Sequence, residues 1–594
     1  MERTEEWSSL ECVCSHLVEG WLPWRLAHQA TGCVGLSAMH SMKKGHFGES
    51  KGRLWGFSME KGEVVRRTKL GPAAGGGGGR GGGARRPKMG PGGGGADLIS
   101  ALPEDLLLQV LVRLRCARAA ARTSILSRRW RGLWTRLPDL VFRGVALRSL
   151  QAALASVQAA AGPVGVTLLD MCVPDALLHS VREYDMPPLL HAAAALSPVD
   201  LRLAVGEGTQ RLYVQVEVPR LPRAISVELQ GLDLVFADPR RSWLGFPALE
   251  TLSLTGCRAN LTDLVLRCPR LRVFRLREDH GAHHMNIIIR SSSLQELHVD
   301  TRIPFTYRID IRAPALKRLA MSFSTSDKII VLVSVLAPML ETVSWRCTYS
   351  TVSARFGLWG LSEVRLQTEE NNGHGGQLPP HVNVLSLFVA ADDSYEFPEE
   401  VSLRTEIEKH MVTHFSVLEL RVETWGHVFG AFALHILEMD QISTAIQSLK
   451  VILLSSEDDE ACPENCPCEE PSNWRSQTIS LTNLEKVEIE GFQGEGHELD
   501  FLKLVFRCAP MLKTMSVRLS DEVTASNDDC CKKIHDVFKM YPFVQCNVIV
   551  DLSPEMSIVM SQETAAIVVP RHDPHCHICR IRWVVEETVF YRAD

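Results

Sequence analysis

Hydrophobic residues change their spacing along the chain, from a helical period near residue 100 to a strand period after about residue 195. In the first stretch, apolar residues recur every three or four positions and form one broad face: Leu106, Leu107, Val110, Leu111 and Leu114. Leu102-Pro103-Glu104-Asp105 precedes them, and proline and carboxylates are favoured in a first helical turn. We therefore predict a helix here, a second over residues 117–126, and a short third one around Trp130 that Ser127 caps.

A second pattern, L-x-x-L-x-L, recurs seven times at intervals of 21 to 24 residues. Its first positions are Leu249, Leu271, Leu294, Leu316, Leu340, Leu361 and Val382. Weaker units occur at Leu201/Leu203 and Val227/Leu229, and similar strands follow at residues 415–420 and 446–451. The interval is typical of leucine-rich repeats, whose stacking buries a ridge of leucines that one repeat cannot bury alone. The degenerate repeats favour an irregular solenoid. The alternative is an unrelated α/β domain with recurring strands.

The hydrophobic pattern of residues 462–519 predicts one more strand–helix–strand unit. A strand at 487–490 leads into a glycine-containing turn, an amphipathic helix follows, and a second strand is expected at 513–518. The helical face consists of Leu499, Leu502, Leu504, Val505 and Phe506. We interpret this unit as the C-terminal cap of the solenoid, because an open array would otherwise expose its last leucine face.

Composition adds limits to this outline. With 594 residues, 45% hydrophobic and 23% charged, the chain resembles a soluble globular protein of three or four domains. The net charge of −6 gives no reason to expect nucleic acid or a membrane as a partner. The longest apolar run, residues 329–336, is too short to span a bilayer and predicts buried core.

The first 96 residues differ from the rest of the chain. Their glycine tract cannot bury enough apolar area to offset backbone entropy, so we predict a disordered segment and linker. Its basic cluster, residues 84–88, is a candidate nuclear address. The 17 cysteines favour reduced thiols, and the start of the chain has no apolar signal region. We expect the nucleus and/or the cytoplasm as the location.

Few groups of residues in the sequence could bind a metal or catalyse a reaction. Cys462, Cys466 and Cys468 lie in one loop, and His575-Cys576-His577-Ile578-Cys579 lies near the end. Together they could ligate zinc, but their spacing matches neither a zinc ribbon nor a RING, and free thiols in exposed loops are the simpler interpretation. Motifs for a nucleophilic serine, a phosphate loop or a zinc protease are absent. The sequence predicts no catalytic residue, no metal and no cofactor.

The segment 97–142 closely resembles the plant F-box. The resemblance rests on the L-P-E-D start, the leucine helix, the A-A-R-T-S-I-L-S-R-R-W-R-G-L-W run and the trailing L-P-D-L-V-F. Arg115 departs from the family, where proline usually follows the first helix, and we expect that helix to run on by a turn. The alternatives are an ordinary helical piece of core and a DNA-reading helix, although the latter would have to bury the tryptophans that alternate with its arginines.

The region 462–519 is similar to the plant FBD region, through its C-x-x-x-C-x-C then N-W start, Gly491-Phe492 and Cys508-Ala509-Pro510. The fold class implied is α+β or α/β repeat: a three-helix F-box, an irregular leucine-rich-repeat solenoid and an FBD cap, after a disordered glycine-rich N-terminus. The expected boundaries are 1–96, 97–144 for the F-box, 195–455 for the repeats, 477–550 for the FBD region and 551–594 for a tail.

The family resemblance implies a function without catalysis. The F-box would dock on a Skp-type adaptor, and through it on a cullin, as part of an SCF-type ubiquitin ligase. The adaptor-binding positions carried over are Leu102, Pro103, Leu106, Leu107, Val110, Leu111, Leu114 and Trp130. The outward face of the repeat strands would hold an unidentified target protein through Ser253, Arg275, His298, Ser344 and Arg365, or it is simply a solvated sheet face. Alternatives are a scaffold without ligase activity and, from the cysteine loops alone, a zinc-dependent enzyme.

Overall fold

A computed structural model describes the chain between Leu102 and Arg580, with gaps. The described residues are 102–160, 165–174, 186–206, 214–235, 245–278, 285–301, 306–325, 331–349, 354–370, 381–391, 401–455, 462, 466–520, 528–553, 556–561, 567–570 and 579–580. The predicted disordered segment 1–96, with its basic cluster, lies outside them. The chain divides into two compact units, Met1–Leu106 and Leu107–Asp594. The sheets all belong to the second unit.

The described helices are short and alternate with strands. They are α1 (Glu104–Arg113), α2 (Ala117–Arg122), α3 (Leu147–Ala160), α4 (Met186–Ala195), α5 (Leu261–Leu266), α6 (Leu403–Lys409), α7 (Gly430–Leu437), α8 (Asp440–Ser443), α9 (Gly496–Cys508) and α10 (Asp528–Lys539). Further 3-10 turns cover Thr123–Ile125, Arg128–Trp130, Leu133–Arg136, Pro467–Glu469 and Ser472–Ser476. Among the described residues, no helix is long and apolar enough to cross a membrane.

Strands dominate the rest of the described chain. The first group comprises β1 (Asp139–Arg143), β2 (Leu168–Val173), β3 (Asp200–Val205), β4 (Val214–Glu217), β5 (Ser226–Gln230), β6 (Leu232–Val235), β7 (Thr251–Thr255), β8 (Arg258–Ala259), β9 (Val273–Glu278), β10 (Met285–Arg290), β11 (Glu296–Thr301), β12 (Thr306–Arg312), β13 (Arg318–Thr325), β14 (Leu332–Leu336) and β15 (Thr342–Tyr349). The second group comprises β16 (Ala354–Phe356), β17 (Trp359–Glu370), β18 (His381–Ala391), β19 (Val401–Ser402), β20 (Val417–Glu423), β21 (Ser448–Leu454), β22 (Lys486–Phe492), β23 (Thr514–Leu519), β24 (Gln545–Ser553), β25 (Met556–Ser561), β26 (Ile567–Pro570) and β27 (Cys579–Arg580).

The helices before β1 differ from the expectation at two points. Helix α1 does not run on through Arg115, because that residue adopts a left-handed conformation (φ 47°) and ends the helix. The third helix is replaced by two 3-10 turns, which Gly132 separates at a φ of 78°. Ser127 does cap the first of these turns, since its side chain accepts a hydrogen bond from the backbone N–H of Arg129 at 3.3 Å.

A long parallel sheet is built from one strand of each repeat. Its neighbours run β1–β2–β3–β5–β7–β9–β11–β13–β15, all parallel. The predicted leucine positions of these strands, among them Leu252, Leu254, Leu297 and Val299, are buried. The predicted strands are therefore confirmed, and the fold is mixed α/β with an open sheet. The sheet already begins at Asp139, inside the segment expected to be a separate F-box.

Return segments between these strands form two small parallel sheets, β4–β6–β8 and β10–β12–β14. The expectation that residues 329–336 are buried core is met only by Val331 among the described residues of this run. Leu332 and Leu336 on β14 are exposed, because β14 is paired on one side only and presents these side chains to solvent.

The parallel order is interrupted after β15. Strands β15, β17 and β18 pair antiparallel, and the parallel order resumes from β18 through β20, β21, β22, β23 and β24. The unit that begins at Leu361 is thus not a further parallel repeat, whereas β18, in the unit that begins at Val382, pairs parallel with β20. Gly357, at a φ of 58°, lies in a tight turn that folds β17 back on β16, so no return segment forms there. Spacing alone does not distinguish the two arrangements.

The predicted FBD unit forms with nearly the expected bounds. Strand β22 is followed by a turn with Gly491 and Gly494 at positive φ, then by helix α9 and strand β23. It is not the end of the sheet, however, because β24 pairs parallel with β23, and β25, β26 and β27 continue antiparallel. The expectation of an FBD cap is corrected: strands after residue 545 cover the edge of β23.

Candidate protein-binding surfaces

The predicted adaptor-binding residues divide into buried and accessible side chains. Leu107, Leu111 and Trp130 are buried within the chain, so in this conformation they support the fold and offer little surface. Pro103 is exposed. The others are half-buried: Leu102, Leu106, Val110 and Leu114. Adaptor contact by the accessible residues stays a prediction.

Two adjacent residues that the sequence analysis did not single out are the most exposed apolar side chains of this segment. Ile125 is 83% and Leu126 is 59% exposed. They lie at the end of the 3-10 turn Thr123–Ile125, where the Leu126 N–H donates to the Thr123 carbonyl at 2.9 Å. The sequence feature that could have revealed them is the S-I-L-S run, in which two apolar residues are flanked by serines. Adjacent, largely exposed aliphatic side chains are typical of a protein contact.

The predicted target face forms a single row across the parallel sheet. Ser253 is in register with Arg275, Arg275 with His298, His298 with Ala320, and Ala320 with Ser344. The parallel pairing brings them together because each residue occupies the same position of its repeat. Four of the five predicted target-binding residues therefore lie side by side.

This row lies in a groove of about 830 Å³ on the exposed face of the sheet. Small side chains, including Ala320, Ser322 and Ser344, leave room above the strands of the middle repeats. The charged residues of the lining are Arg275, Arg277, Asp300 and Arg346. Each of the three guanidinium groups has a carboxylate beside it, because Glu296 and Glu363, outside the lining, pair with Arg275 and Arg346.

Ion pairs hold the long side chains of the groove. Arg277 lies 3.9 Å from Asp300, and Arg346 lies 2.7 Å from Glu363 outside the lining. The arginines are about half exposed, so each pair is worth about 0–1 kcal/mol and can be exchanged for a partner's charge. Burial, together with the nearby charge of Arg275, lowers the pKa of His298, which favours its neutral form.

Arg365 does not join the row. Strand β17 runs antiparallel to β15, so Gln367 lies opposite Ser344 and Arg365 lies opposite Arg346. The Arg365 guanidinium is 2.7 Å from the Glu363 carboxylate. Its prediction as a member of the row assumed that the parallel repeat continued, and that assumption fails at this strand.

A buried polar network lies behind β15, on the side opposite the groove. The indole Nε1 of Trp345 donates to Nδ1 of His410 at 3.0 Å, so Nδ1 accepts and the imidazole proton lies on Nε2. Nε2 is 2.8 Å from the hydroxyl of Tyr349, which lies 3.1 Å from Oε1 of Glu406. Lys409 donates to the other carboxylate oxygen at 2.6 Å. The network fixes helix α6 to the sheet.

The cysteine loop agrees with the expectation in one respect and differs in another. The three thiols are free, but the loop is not exposed: Cys468 is buried, Cys462 and Cys466 are half-buried, and all three lie beside His427. The side chains of residues 575–579 lie outside the described residues. The histidine that meets the thiols is thus 35 positions away from Cys462, a separation that gives no local motif.

Comparison with known proteins agrees with these elements. The family model described as FBD matches residues 480–517, which covers β22, α9 and part of β23. The chain is similar to a putative F-box/FBD/LRR-repeat protein of Arabidopsis thaliana, with 24% identity over 71% of this chain and 89% of that protein. It is also similar to F-box/LRR-repeat protein 13 of the same plant, with 21% identity over 74% and 93% of the two chains.

A rice protein, the MEIOTIC F-BOX protein MOF of Oryza sativa subsp. japonica, is 30% identical over 229 residues. This match covers 38% of the present chain and 40% of the rice protein. The names of all three relatives contain the F-box, and the family model identifies the FBD region. The family resemblance seen in the sequence is confirmed.

Proposed function

We propose that this chain, a member of the plant F-box/FBD/LRR-repeat family, is the substrate-recognition subunit of an SCF-type ubiquitin ligase. The observation that carries the proposal is the exposed pair Ile125 and Leu126 within the F-box-like segment. In the isolated chain these two adjacent aliphatic side chains are largely solvated, whereas a Skp-type adaptor with an apolar surface would bury them. Complete burial of such a side chain contributes about 1.5–3 kcal/mol.

The second surface is the groove, which in this proposal receives the target protein. Its floor of small residues accommodates a polypeptide segment, and its three half-exposed guanidinium groups can exchange their ion pairs for acidic side chains of that segment. The residues that would make this contact are Ser253, Arg275, His298 and Ser344, with Ala320 between them.

The chain itself would carry out no bond chemistry. It would bind the adaptor, and through it the cullin, while the groove binds the target. Tethering raises the effective concentration of target lysines near the ubiquitin thioester that a separate enzyme carries. We propose action in the nucleus or the cytoplasm, where the thiols of the chain stay reduced.

Co-purification tests the assignment. We would express the full chain with a Skp-type adaptor and a cullin and isolate complexes through a tag on the chain. The proposal expects adaptor and cullin together, in near-equal amounts, and loss of both with Ile125→Ser/Leu126→Ser. Adaptor without cullin would support the scaffold alternative. Absence of the adaptor from a folded, soluble chain would contradict both.

A further inference from the structure

Four side chains with metal-ligating atoms form a compact cluster beside helix α7. They are His427, Cys462, Cys466 and Cys468, and their ligand atoms all lie within 4.8 Å of one another. Nδ1 of His427 is 3.4 Å from the Cys462 sulfur and 3.3 Å from the Cys466 sulfur. The sulfurs of Cys462 and Cys468 are 3.4 Å apart, too far for a disulfide of about 2.05 Å.

These distances match the edges of a zinc coordination tetrahedron. Zinc binds cysteine sulfur at about 2.3 Å and histidine nitrogen at about 2.0–2.1 Å, so tetrahedral edges are about 3.8 Å between sulfurs and about 3.6 Å between sulfur and nitrogen. The three separations given above are shorter than these edges by a few tenths of an ångström, and no two ligand atoms are more than 4.8 Å apart. One ion at the centre therefore requires only small movements of the side chains.

Local structure on both sides of the cluster holds the donors in place. On one side, a tight turn at Trp425 and Gly426 ends β20, and the His427 N–H donates to the Thr424 carbonyl at 2.8 Å. On the other side, Pro467 begins the 3-10 turn that carries Cys468.

We propose that these residues form a structural zinc site of the Cys₃His type. Three soft thiolates and one imidazole select Zn²⁺ over harder cations, and four protein ligands leave no open position for a substrate. The site would therefore be structural and not catalytic. Unlike the C-terminal ligands considered from the sequence, His427 comes from the turn before α7, so the ion would cross-link two segments of the repeat region.

The segment that zinc would hold is the long connection between β21 and β22. It packs on the body of the protein through Trp474, whose ring lies against Gly430, and through Arg475, which lies 3.0 Å from Asp500 of α9. The connection leads directly into the FBD unit. A metal at its start would fix the path of the chain from the last repeats into that unit.

Metal analysis of the purified full chain tests the site. We expect about one zinc per chain by mass spectrometry, and at least a fivefold lower content in Cys462→Ser and in Cys466→Ser. The matched controls are Cys531→Ser, a half-buried thiol elsewhere, and Cys576→Ser/Cys579→Ser; both should retain the metal. A folded wild-type chain that binds no zinc after incubation with excess Zn²⁺ would overturn the proposal, and so would full retention in the first two variants.

Cobalt substitution provides a readout on the wild-type chain, so it does not depend on how the variants fold. Co²⁺ bound by three thiolates in a tetrahedron gives intense visible d–d absorption with a sulfur-to-metal charge-transfer band. We expect one equivalent of Co²⁺ to saturate this spectrum and Zn²⁺ to abolish it. The weak spectrum of octahedral Co²⁺ would contradict the proposed ligands.

Discussion

The indole ring of Trp474 lies directly against Gly430, so close that a β-carbon on Gly430 would come within 2.3 Å of the ring. Gly430 is the first residue of helix α7, and Trp474 lies in the 3-10 turn Ser472–Ser476 of the β21–β22 connection. This contact helps to join the connection to the helix. It also explains why glycine, the residue without a side chain, stands at the first position of the helix.

Replacing Gly430 by alanine should destabilise the protein. Neither the buried indole nor the helix backbone can move away easily, and overpacking of this kind costs about 1–3 kcal/mol. Gly496 begins helix α9 in the same way, but a β-carbon on Gly496 would meet no atom within 4 Å. Gly496→Ala is the control, and it should leave urea unfolding unchanged or slightly stabilised. Equal stability of the two variants would contradict the packing argument.

Glu406 should make stability depend on acidity. Burial alone would raise the pKa of this carboxyl group, but His410 and Lys409 outweigh burial and lower the pKa to about 2. Since the unfolded group titrates near 4.5, its stabilising effect is complete above that pH and is lost as the pH falls towards 2. We expect the urea midpoint of the wild type to exceed that of Glu406→Gln at pH 5.5, with a difference that shrinks by pH 3. A constant difference would contradict this assignment.

Arg115→Gly should stabilise the protein. Arg115 ends α1 at a φ of 47°, a conformation that costs a residue with a β-carbon about 1–2 kcal/mol and glycine almost nothing. Glycine also gives the unfolded chain more conformational entropy, which opposes this effect. The free energy of unfolding should therefore rise by about 0.5–1 kcal/mol. Arg113→Gly, inside the same helix, should instead lower the free energy of unfolding by about 1 kcal/mol. Thermal unfolding checks this: Arg115→Gly should melt above the wild type and Arg113→Gly below it.

Ala320→Trp should block the groove without affecting adaptor binding. Ala320 lies at the centre of the row on the groove floor, so an indole there occupies the space of a bound segment. Ser516→Trp is the control, because Ser516 is one of the outward residues of β23 and lies outside the lining. We expect proximity labelling in plant cells to lose a set of proteins with the first variant only. Identical labelling would contradict the groove as the target site.

Local patterns predicted the individual elements well. The FBD unit formed within a few residues of its expected bounds, because the glycine turn and the amphipathic helix are encoded in adjacent residues. The row from Ser253 to Ser344 could be predicted from the repeat period, because equivalent positions of successive repeats lie side by side in a parallel sheet. These predictions needed no knowledge of distant contacts.

Long-range relationships could not be predicted. The turn at Gly357 reverses the direction of β17, although the leucine pattern keeps its 21-residue interval there. Arg365 therefore lies outside the row. His427 and Cys462 share no motif, so their meeting became visible only in the fold. Among the apolar residues near residue 110, the pattern did not separate buried Leu107 from accessible neighbours, because both contribute to one apolar face.

The most direct test is the affinity of the full chain for a purified Skp-type adaptor, measured by calorimetry for the wild type and for Ile125→Ser/Leu126→Ser. Phe543→Ser is the control, since Phe543 is 97% exposed but lies far along the chain from the F-box-like segment. The account predicts wild-type affinity for the control and at least tenfold weaker binding for the double variant, with unchanged thermal stability in both. Equal adaptor affinity in all three proteins would contradict it.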